Sequence, residues 1–342
     1  MCGILGVCLD KRERNDAEYI GIAVDFARIW EESQTRGTDA AGVYIVNSGS
    51  DIRYIKAPVA SSDITEGDDD FGFWKLLLDN LGPDTIAIIG HTRAATTGAP
   101  ECNDNNHPVV DAPIIGVHNG VIQNHRILHT KYPKCAEVDS AAIMSLLKAK
   151  AGDKPLTTGV VARSLHELKG SFAIAVADMR KPDGIFLARN HSPVSFTRRR
   201  EEGVLMFAST ADILRRAISD NIKTFAMPSD TVCRISRKTV HGSLAFKPLK
   251  DAPPTKPTHV PSATLKRLGL NPKPVKSASG QIIHYGNKCF CPHRLIGEHK
   301  PGCHAHDVDG GLRCSTCHQL YLMVYHGNVE QRCCNCNPYG GF

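Results

Sequence analysis

The 342-residue chain contains no run of about 18 or more apolar residues, so no membrane-spanning helix and no membrane partner is expected. Its first ten residues, MCGILGVCLD, lack the charged n-region and cleavage site of a secretory leader, and a cytoplasmic location is the expectation. No GxxxxGK[ST] phosphate loop occurs, which argues against an ATP-driven ligase within this chain. Aromatic residues are few, at 6%, and the basic carboxy-terminal segment carries no motif for stacking bases. No internal repeat is visible.

Cysteine, by contrast, is plentiful. Thirteen cysteines in a chain of this expected compartment point to catalysis or metal binding rather than disulfides. Cys2, Cys8, Cys102, Cys135 and Cys233 are scattered, whereas eight lie between Cys289 and Cys336. Charge is divided in the same way: residues 245–342 hold 12 Lys/Arg against 5 Asp/Glu, while the remainder holds 29 against 30.

From Cys2 to about Ser243, short apolar runs alternate with amphipathic stretches, the pattern of a mixed α and β domain. CGILGVCL, AGVYIVN, TIAIIGH, PIIGVH, SFAIAVAD, GIFLAR, VLMFAS and TVCRIS read as strands. Residues Asp16 to Ser33 read as a helix with Ile20, Val24, Ala27 and Trp30 on one face and Asp16 as its cap; Asp139 to Lys150 reads as a second. Residues 246–284 hold Pro248, Pro253, Pro254, Pro257, Pro261, Pro272 and Pro274 among Lys, Ser and Thr and read as a semi-extended linker. Residues 285–342 then form a Cys/His-rich unit, so the expected division is 2–245, 246–284 and 285–342.

Cys2 becomes the first residue once Met1 is removed, which is usual before a small side chain. Its α-amine, with an ordinary pKa of about 7.7 to 8.0, then lies beside its own thiol and can take the thiol proton near neutral pH. One residue would supply both nucleophile and base. Taken alone, Cys2 reads more readily as a small buried cysteine of no function, and the residues that follow reverse that.

The residues that follow resemble, in sequence order, the class II glutamine amidotransferases, glutaminase domains with an amino-terminal nucleophile found in glucosamine-6-phosphate synthase, the first enzyme of purine synthesis and asparagine synthetase. The matching pieces are CGILG at Cys2 to Gly6, RGTDAAG at Arg36 to Gly42, HTRAATTG at His91 to Gly98, HPVV at His107 to Val110, HNGVIQN at His118 to Asn124 and VDS at Val138 to Ser140. GSFAIAVAD, LARNHSPV and FASTADIL resemble the second half of such domains, so the likeness spans roughly residues 2–240. Its nearest flavour is the glucosamine-6-phosphate synthase glutaminase.

The resemblance implies an α+β fold, a four-layer αββα amino-terminal nucleophile hydrolase sandwich, and hydrolysis of L-glutamine through a Cys2 thioester with no cofactor. It assigns the oxyanion donors to the Asn119 side-chain amide and the Gly120 backbone N–H. It gives Arg93 to the substrate carboxylate, Asp139 to its ammonium, and Thr96 and Thr97 to further contacts from a covering loop. Bland alternatives stand beside these roles: a turn for Asn119-Gly120, a surface ion pair for Arg93, a helix cap for Asp139. Arg36 falls near the nucleophile, and His91 and His118 are expected to be structural. Two positions depart from the glucosamine-type pattern: Ala94 stands where it has Trp, and Thr97 where it has His. The polar stretch Pro100 to Asn106 is expected to form a lid of its own shape.

No synthase follows the glutaminase-like region, so an ammonia acceptor is expected on a partner polypeptide. The tail instead offers Cys314-Ser-Thr-Cys317 and, 15 residues on, Cys333-Cys-Asn-Cys336. Two CxxC knuckles at this spacing suit a closed structural zinc site in a ribbon, with LYLMVYH as one strand. Cys289, Cys291, Cys303 and His304 form a second candidate site, giving one or two zinc ions. The tail's positive charge leaves nucleic acid open as a partner, behind protein docking. Two rival readings remain: a retired glutaminase serving as a binding module, and an amino-terminal nucleophile hydrolase acting on another amide.

Overall fold

A computed structural model describes residues 1–49, 52–66, 72–133 and 135–249, together with five short tail strands at 274–276, 282–285, 305–308, 311–314 and 320–321. The chain divides into two units, Met1–Asp251 and Ala252–Phe342.

Two antiparallel sheets organise the first unit. One runs β11-β9-β10-β1-β4-β2-β3, built from β1 (Gly3–Leu9), β2 (Ala40–Asn47), β3 (Ile52–Ala57), β4 (Thr85–Arg93), β9 (Ser195–Arg199), β10 (Val204–Ala208) and β11 (Thr224–Ala226). The other runs β13-β12-β8-β7-β6-β5, from β5 (Val109–Asp111), β6 (Ile114–Ile122), β7 (Gly170–Asp178), β8 (Ile185–Arg189), β12 (Thr231–Ile235) and β13 (Lys247–Pro248).

The apolar runs are continuous because these strands are buried on both faces. Along β1, Ile4 and Cys8 enter the core between the sheets, while Leu5, Val7 and Leu9 face a separate core under the helices. Along β7 the alternation sorts by size: Ala173, Ala175 and Ala177 face the other sheet, whereas Phe172, Ile174 and Val176 face helices. Small side chains let the two sheets approach, and large ones fill the wider gap beneath the helices.

Helices α1 (Asp16–Ser33), α2 (Ser61–Glu66), α3 (Phe73–Asn80) and α7 (Ala211–Ile218) cover the first sheet; α4 (His125–Lys131), α5 (Asp139–Ala151) and α6 (Thr158–Leu165) cover the second. Helix, sheet, sheet, helix is therefore the layer order.

The first helix begins at Asp16 as expected, but its cap lies one residue earlier. Asn15, not Asp16, caps α1: its side chain accepts from Glu18 N at 3.0 Å while Glu18 accepts from Asn15 N at 2.8 Å, a capping box. The buried face of α1 runs through Tyr19, Ile22, Ala23, Phe26, Ala27 and Trp30, and Ile20 is exposed. Asp139 likewise does not cap α5; it lies within the first turn, Val138 holds the cap position, and the Asp139 carboxylate reaches across to β6.

In the second unit, β14 (Pro274–Lys276) pairs with β15 (Ile282–Tyr285), and β16 (Ala305–Val308), β17 (Gly311–Cys314) and β18 (Leu320–Tyr321) form an antiparallel sheet. Of the expected zinc ligands, Cys314 ends β17 and its side chain is not described; Cys289, Cys291, Cys303, His304, Cys317, Cys333 and Cys336 lie outside the described residues. Of LYLMVYH, only Leu320 and Tyr321 fall within a described strand. The expected zinc ribbon therefore falls largely outside the described residues, and among the described ones no cluster of His, Cys, Asp or Glu is arranged to hold a metal ion. No helix among the described residues is long and apolar enough to cross a membrane.

Candidate active site

The site is assembled from the end of β4 and the start of β1 on one sheet, and from β6 and the start of α5 on the other. Gly3 pairs with Thr92, so Cys2 stands one step beyond the register, beside the end of β4. A Cβ on Gly3 would lie 2.6 Å from Thr92 Oγ1 and 3.2 Å from the Ser33 carbonyl, so glycine lets the strand carrying Cys2 approach this closely. The Cys2 thiol lies 3.5 Å from the Ala94 carbonyl, and Arg36 Nε donates to the Cys2 carbonyl at 2.8 Å. Arg36 therefore anchors the nucleophile's backbone from the short 3₁₀ turn that follows α1.

Burial pushes the Cys2 thiol up; the chain's amino terminus and the Arg93 guanidinium pull against that shift, and the Asp139 carboxylate adds to it. The thiol thus lies within electrostatic reach of both charged residues expected to bind substrate. With Met1 still attached and 82% exposed, the amine belongs to Met1 rather than to Cys2.

Across the sheet interface, Asn119 is 3% exposed and its Nδ2 has no hydrogen-bond partner among the described residues. A buried donor left unpaired costs about 1 to 3 kcal/mol. Gly120 adopts φ +142°, and a Cβ there would lie 2.0 Å from the Ser171 carbonyl oxygen. Only glycine fits this turn of the backbone against β7. Opposite it, Asn190 takes up both polar groups of Phe172, donating from its backbone N–H at 3.0 Å and accepting on its side chain at 2.7 Å.

Arg93 is 3% exposed and is committed to its own loop. It donates to Asn106 Oδ1 at 2.7 Å and to the carbonyls of Thr97 and Gly98 at 2.6 and 2.7 Å. Thr97 meets it through the backbone, and Thr96 is exposed on the same loop. The stretch expected to be a lid is anchored at its inner end: Asn105 and Asn106 are fully buried, and Glu101 to Asp104 are exposed. Asp39 braces the loop's start, accepting from Ala95 N at 2.7 Å. Asp139 Oδ2 accepts from Ile122 N at 2.6 Å.

His91 and His118 are both buried. His91 Nε2 meets the His118 carbonyl at 3.0 Å, and burial drives the His91 ring down to about 3, so it stays neutral at any ordinary pH. Asn106, His107, Ser140 and Asn190 were not singled out by the sequence, although NNHPVV, VDS and LARNHSPV contain them. A surface cavity of about 510 Å³ lined by Tyr54, Lys56, Asn103 and Asp104 includes none of the expected catalytic groups.

Residues 91–216 match the family model of a glutamine amidotransferase domain. Over those residues the chain is similar to glutamine amidotransferase domains, the family its sequence motifs resemble. The chain is 31% identical over 199 residues to a glutamine–fructose-6-phosphate aminotransferase (isomerizing) of Streptococcus mutans, covering 57% of this chain and 30% of that protein. It is 27% identical over 229 residues to a 7-cyano-7-deazaguanine synthase of Sulfurisphaera tokodaii, covering 65% of this chain and 46% of that protein. The chain thus spans less than half the length of either relative. Among solved structures, the glutamine phosphoribosylpyrophosphate amidotransferase of B. subtilis has the same fold, with a TM-score of 0.51 at 15% identity, covering 73% of this chain and 50% of that one. The match begins at His91 in β4, whereas Cys2 lies upstream, immediately before β1.

Proposed function

We propose that the domain hydrolyses L-glutamine to glutamate and ammonia at Cys2, and that the ammonia passes to a synthase on a partner polypeptide. The observation that carries this reading is the unpaired, buried Asn119 amide beside the Gly120 turn, within a domain whose Cys2 thiol feels the charges of Arg93 and Asp139. An orphan donor held at a cost to the fold suits a group whose partner appears only when a substrate oxygen becomes negative.

Removal of Met1 leaves the α-amine on Cys2. The amine takes the thiol proton, and the thiolate attacks the glutamine side-chain carbonyl carbon. The resulting oxyanion accepts from Asn119 Nδ2 and the Gly120 N–H. Collapse breaks the C–N bond, the Cys2 ammonium returns a proton to the leaving ammonia, and a γ-glutamyl thioester remains. Water, deprotonated by the same amine, attacks that thioester and releases glutamate and the thiol. Asp139 would receive the substrate ammonium. Arg93 would receive the carboxylate, which requires at least one of its present loop partners to yield.

The test is intact-protein mass spectrometry after treatment with 6-diazo-5-oxo-L-norleucine, comparing wild type with Cys2→Ala. A mass lacking Met1 and carrying one adduct in wild type alone is the expected result. Loss of Met1 with no adduct overturns the reading in favour of a retired domain.

For the tail, the proposal remains structural zinc held by Cys314, Cys317, Cys333 and Cys336, with Cys289, Cys291, Cys303 and His304 as a second set. Four thiolates would close the first site to water, so its role is scaffolding. Elemental analysis of the purified protein should return one or two zinc per chain, and none would refute it.

A further inference from the structure

Four buried side chains outside the reaction scheme form one connected group. His107 Nε2 lies 3.0 Å from Ser140 Oγ, and the same hydroxyl lies 2.9 Å from His118 Nδ1. The rings of His91 and His107 stack with centroids 3.9 Å apart, and His91 Nε2 meets the His118 carbonyl. None of the four residues is more than 4% exposed. Burial pushes all three imidazoles down, which keeps them neutral. Hydrogen bonds and ring stacking join the cluster.

Those bonds have a direction. A carbonyl oxygen only accepts, so His91 carries its proton on Nε2. A neutral imidazole has one donor and one acceptor nitrogen, and a hydroxyl can donate to one ring while accepting from another. Ser140 therefore bridges the two rings. The residue before it, Asp139, takes the N–H of Ile122. Two consecutive residues at the start of α5 thus hold positions 118 and 122 of β6, on either side of Asn119 and Gly120.

Strand pairing does not do this job alone. β7 lines one edge of β6 along its whole length, but β5 covers the other edge only at Ile114, Ile115 and Gly116. From Val117 onward the second edge of β6 has no strand neighbour among the described residues, and the α5 clamp stands in for it.

We infer that Ser140 is a positioning residue for the oxyanion donors: by bridging His107 and His118 it fixes the segment from which the Asn119 amide projects. The inference rests on the proposed glutaminase reading. Ser140→Ala removes the bridge and leaves two ring nitrogens unpaired, while the Asp139–Ile122 bond is untouched. Loss of precision should therefore fall on kcat rather than on KM.

Ser145→Ala is the comparison variant. Ser145 lies on the same helix and is equally buried, but it bonds Asp111 and the Pro133 carbonyl instead. Steady-state glutaminase kinetics, normalised to the folded fraction from near-ultraviolet circular dichroism, would be run on full-length wild type, Ser140→Ala, Ser140→Thr and Ser145→Ala. Ser140→Ala is expected to lose about 10-fold to 100-fold in kcat with KM held within about two-fold, part of what removing an oxyanion donor costs. Ser145→Ala should keep kcat within about two-fold, and Ser140→Thr, which retains the hydroxyl, should recover most of the loss. Equal kcat for the two alanine variants, or a folded Ser140→Thr as slow as Ser140→Ala, overturns the role of Ser140 and leaves the glutaminase reading intact. Wild type that lacks Met1 yet hydrolyses no glutamine overturns both.

Discussion

The two halves of the site are held in different ways. The nucleophile half is fixed by backbone: β1 pairs with β4 on one side and β10 on the other, and Ser209 Oγ takes the Ile4 N–H at 3.0 Å. The oxyanion half is fixed by side chains, because β6 loses one strand neighbour just before it reaches Asn119. Strand pairing tolerates most side-chain changes, whereas a buried hydrogen-bonded cluster depends on each member being present. Substitutions around Cys2 should therefore act on chemistry or on global stability, and those around Asn119 on geometry.

The largest effect should come from the nucleophile itself. Cys2→Ala is expected to lower kcat for glutamine hydrolysis by at least about 10³-fold while leaving the melting temperature near wild type, because no strand bond is lost. A coupled glutamate assay with thermal melts checks both, and a large loss of stability would break the view that backbone holds this half.

On the other half, Asn119→Ala should cost about 10²- to 10³-fold in kcat, the effect of deleting one oxyanion donor. Its melting temperature should not fall through any lost Nδ2 hydrogen bond, since that atom has none in the resting fold. Gly120→Ala differs in kind: with φ at +142° and a Cβ 2.0 Å from Ser171 O, the backbone must move. We expect a destabilisation of about 1 to 3 kcal/mol, read by urea unfolding, together with a fall in kcat.

The histidine cluster gives the comparison a pH signature. His91, His107 and His118 all have folded-state pKa values depressed by burial, His91 to about 3. The unfolded chain takes up these protons first as pH falls through about 6.5, so stability present above that pH is progressively lost below it. Each histidine contributes a slope of up to about 1.4 kcal/mol per pH unit in that window. Urea unfolding between pH 7.5 and about 5 should show the decline, and His107→Gln should reduce its steepness.

The smallest effect belongs to the nucleophile half. Asn15→Ala removes the cap of α1, which packs behind β1 and β4, and should cost about 1 kcal/mol of stability with kcat per folded molecule unchanged. A change in kcat would mean that the nucleophile is held less firmly by its sheet than its two strand neighbours imply.

Much of both sheets is legible in the sequence. β1, β2, β4, β6, β7, β8, β10 and β12 all fall on apolar runs, because strands buried on both faces need uninterrupted apolar residues. β3, β5, β9, β11 and β13 gave no such signal: β3 reads IRYIKA, with Arg53 and Lys56 interrupting the apolar run, and β13 is Lys247–Pro248. The stripe on α1 was misplaced because Ile20 lies on the helix but points to solvent, while Tyr19, Ile22 and Phe26 carry the packing. Asn15 was passed over as a cap for its acidic neighbour, although Glu18 three residues on completes the box.

What the sequence determined by itself is the set of chemical groups and their order: Cys2 next to a removable Met1, Arg93, Asn119-Gly120 and Asp139, each within a run of residues specific enough to point to a family. What only tertiary structure decided is how those groups are held. Arg93 is committed to Asn106, Asp139 to Ile122, and Ser140 to two histidines 33 and 22 residues away. Such partners follow from which strands lie side by side, in what register, and which edge is left for a helix to cover. No local pattern of residues encodes that, because a hydrogen bond between distant positions depends on where packing of the whole chain has already put them.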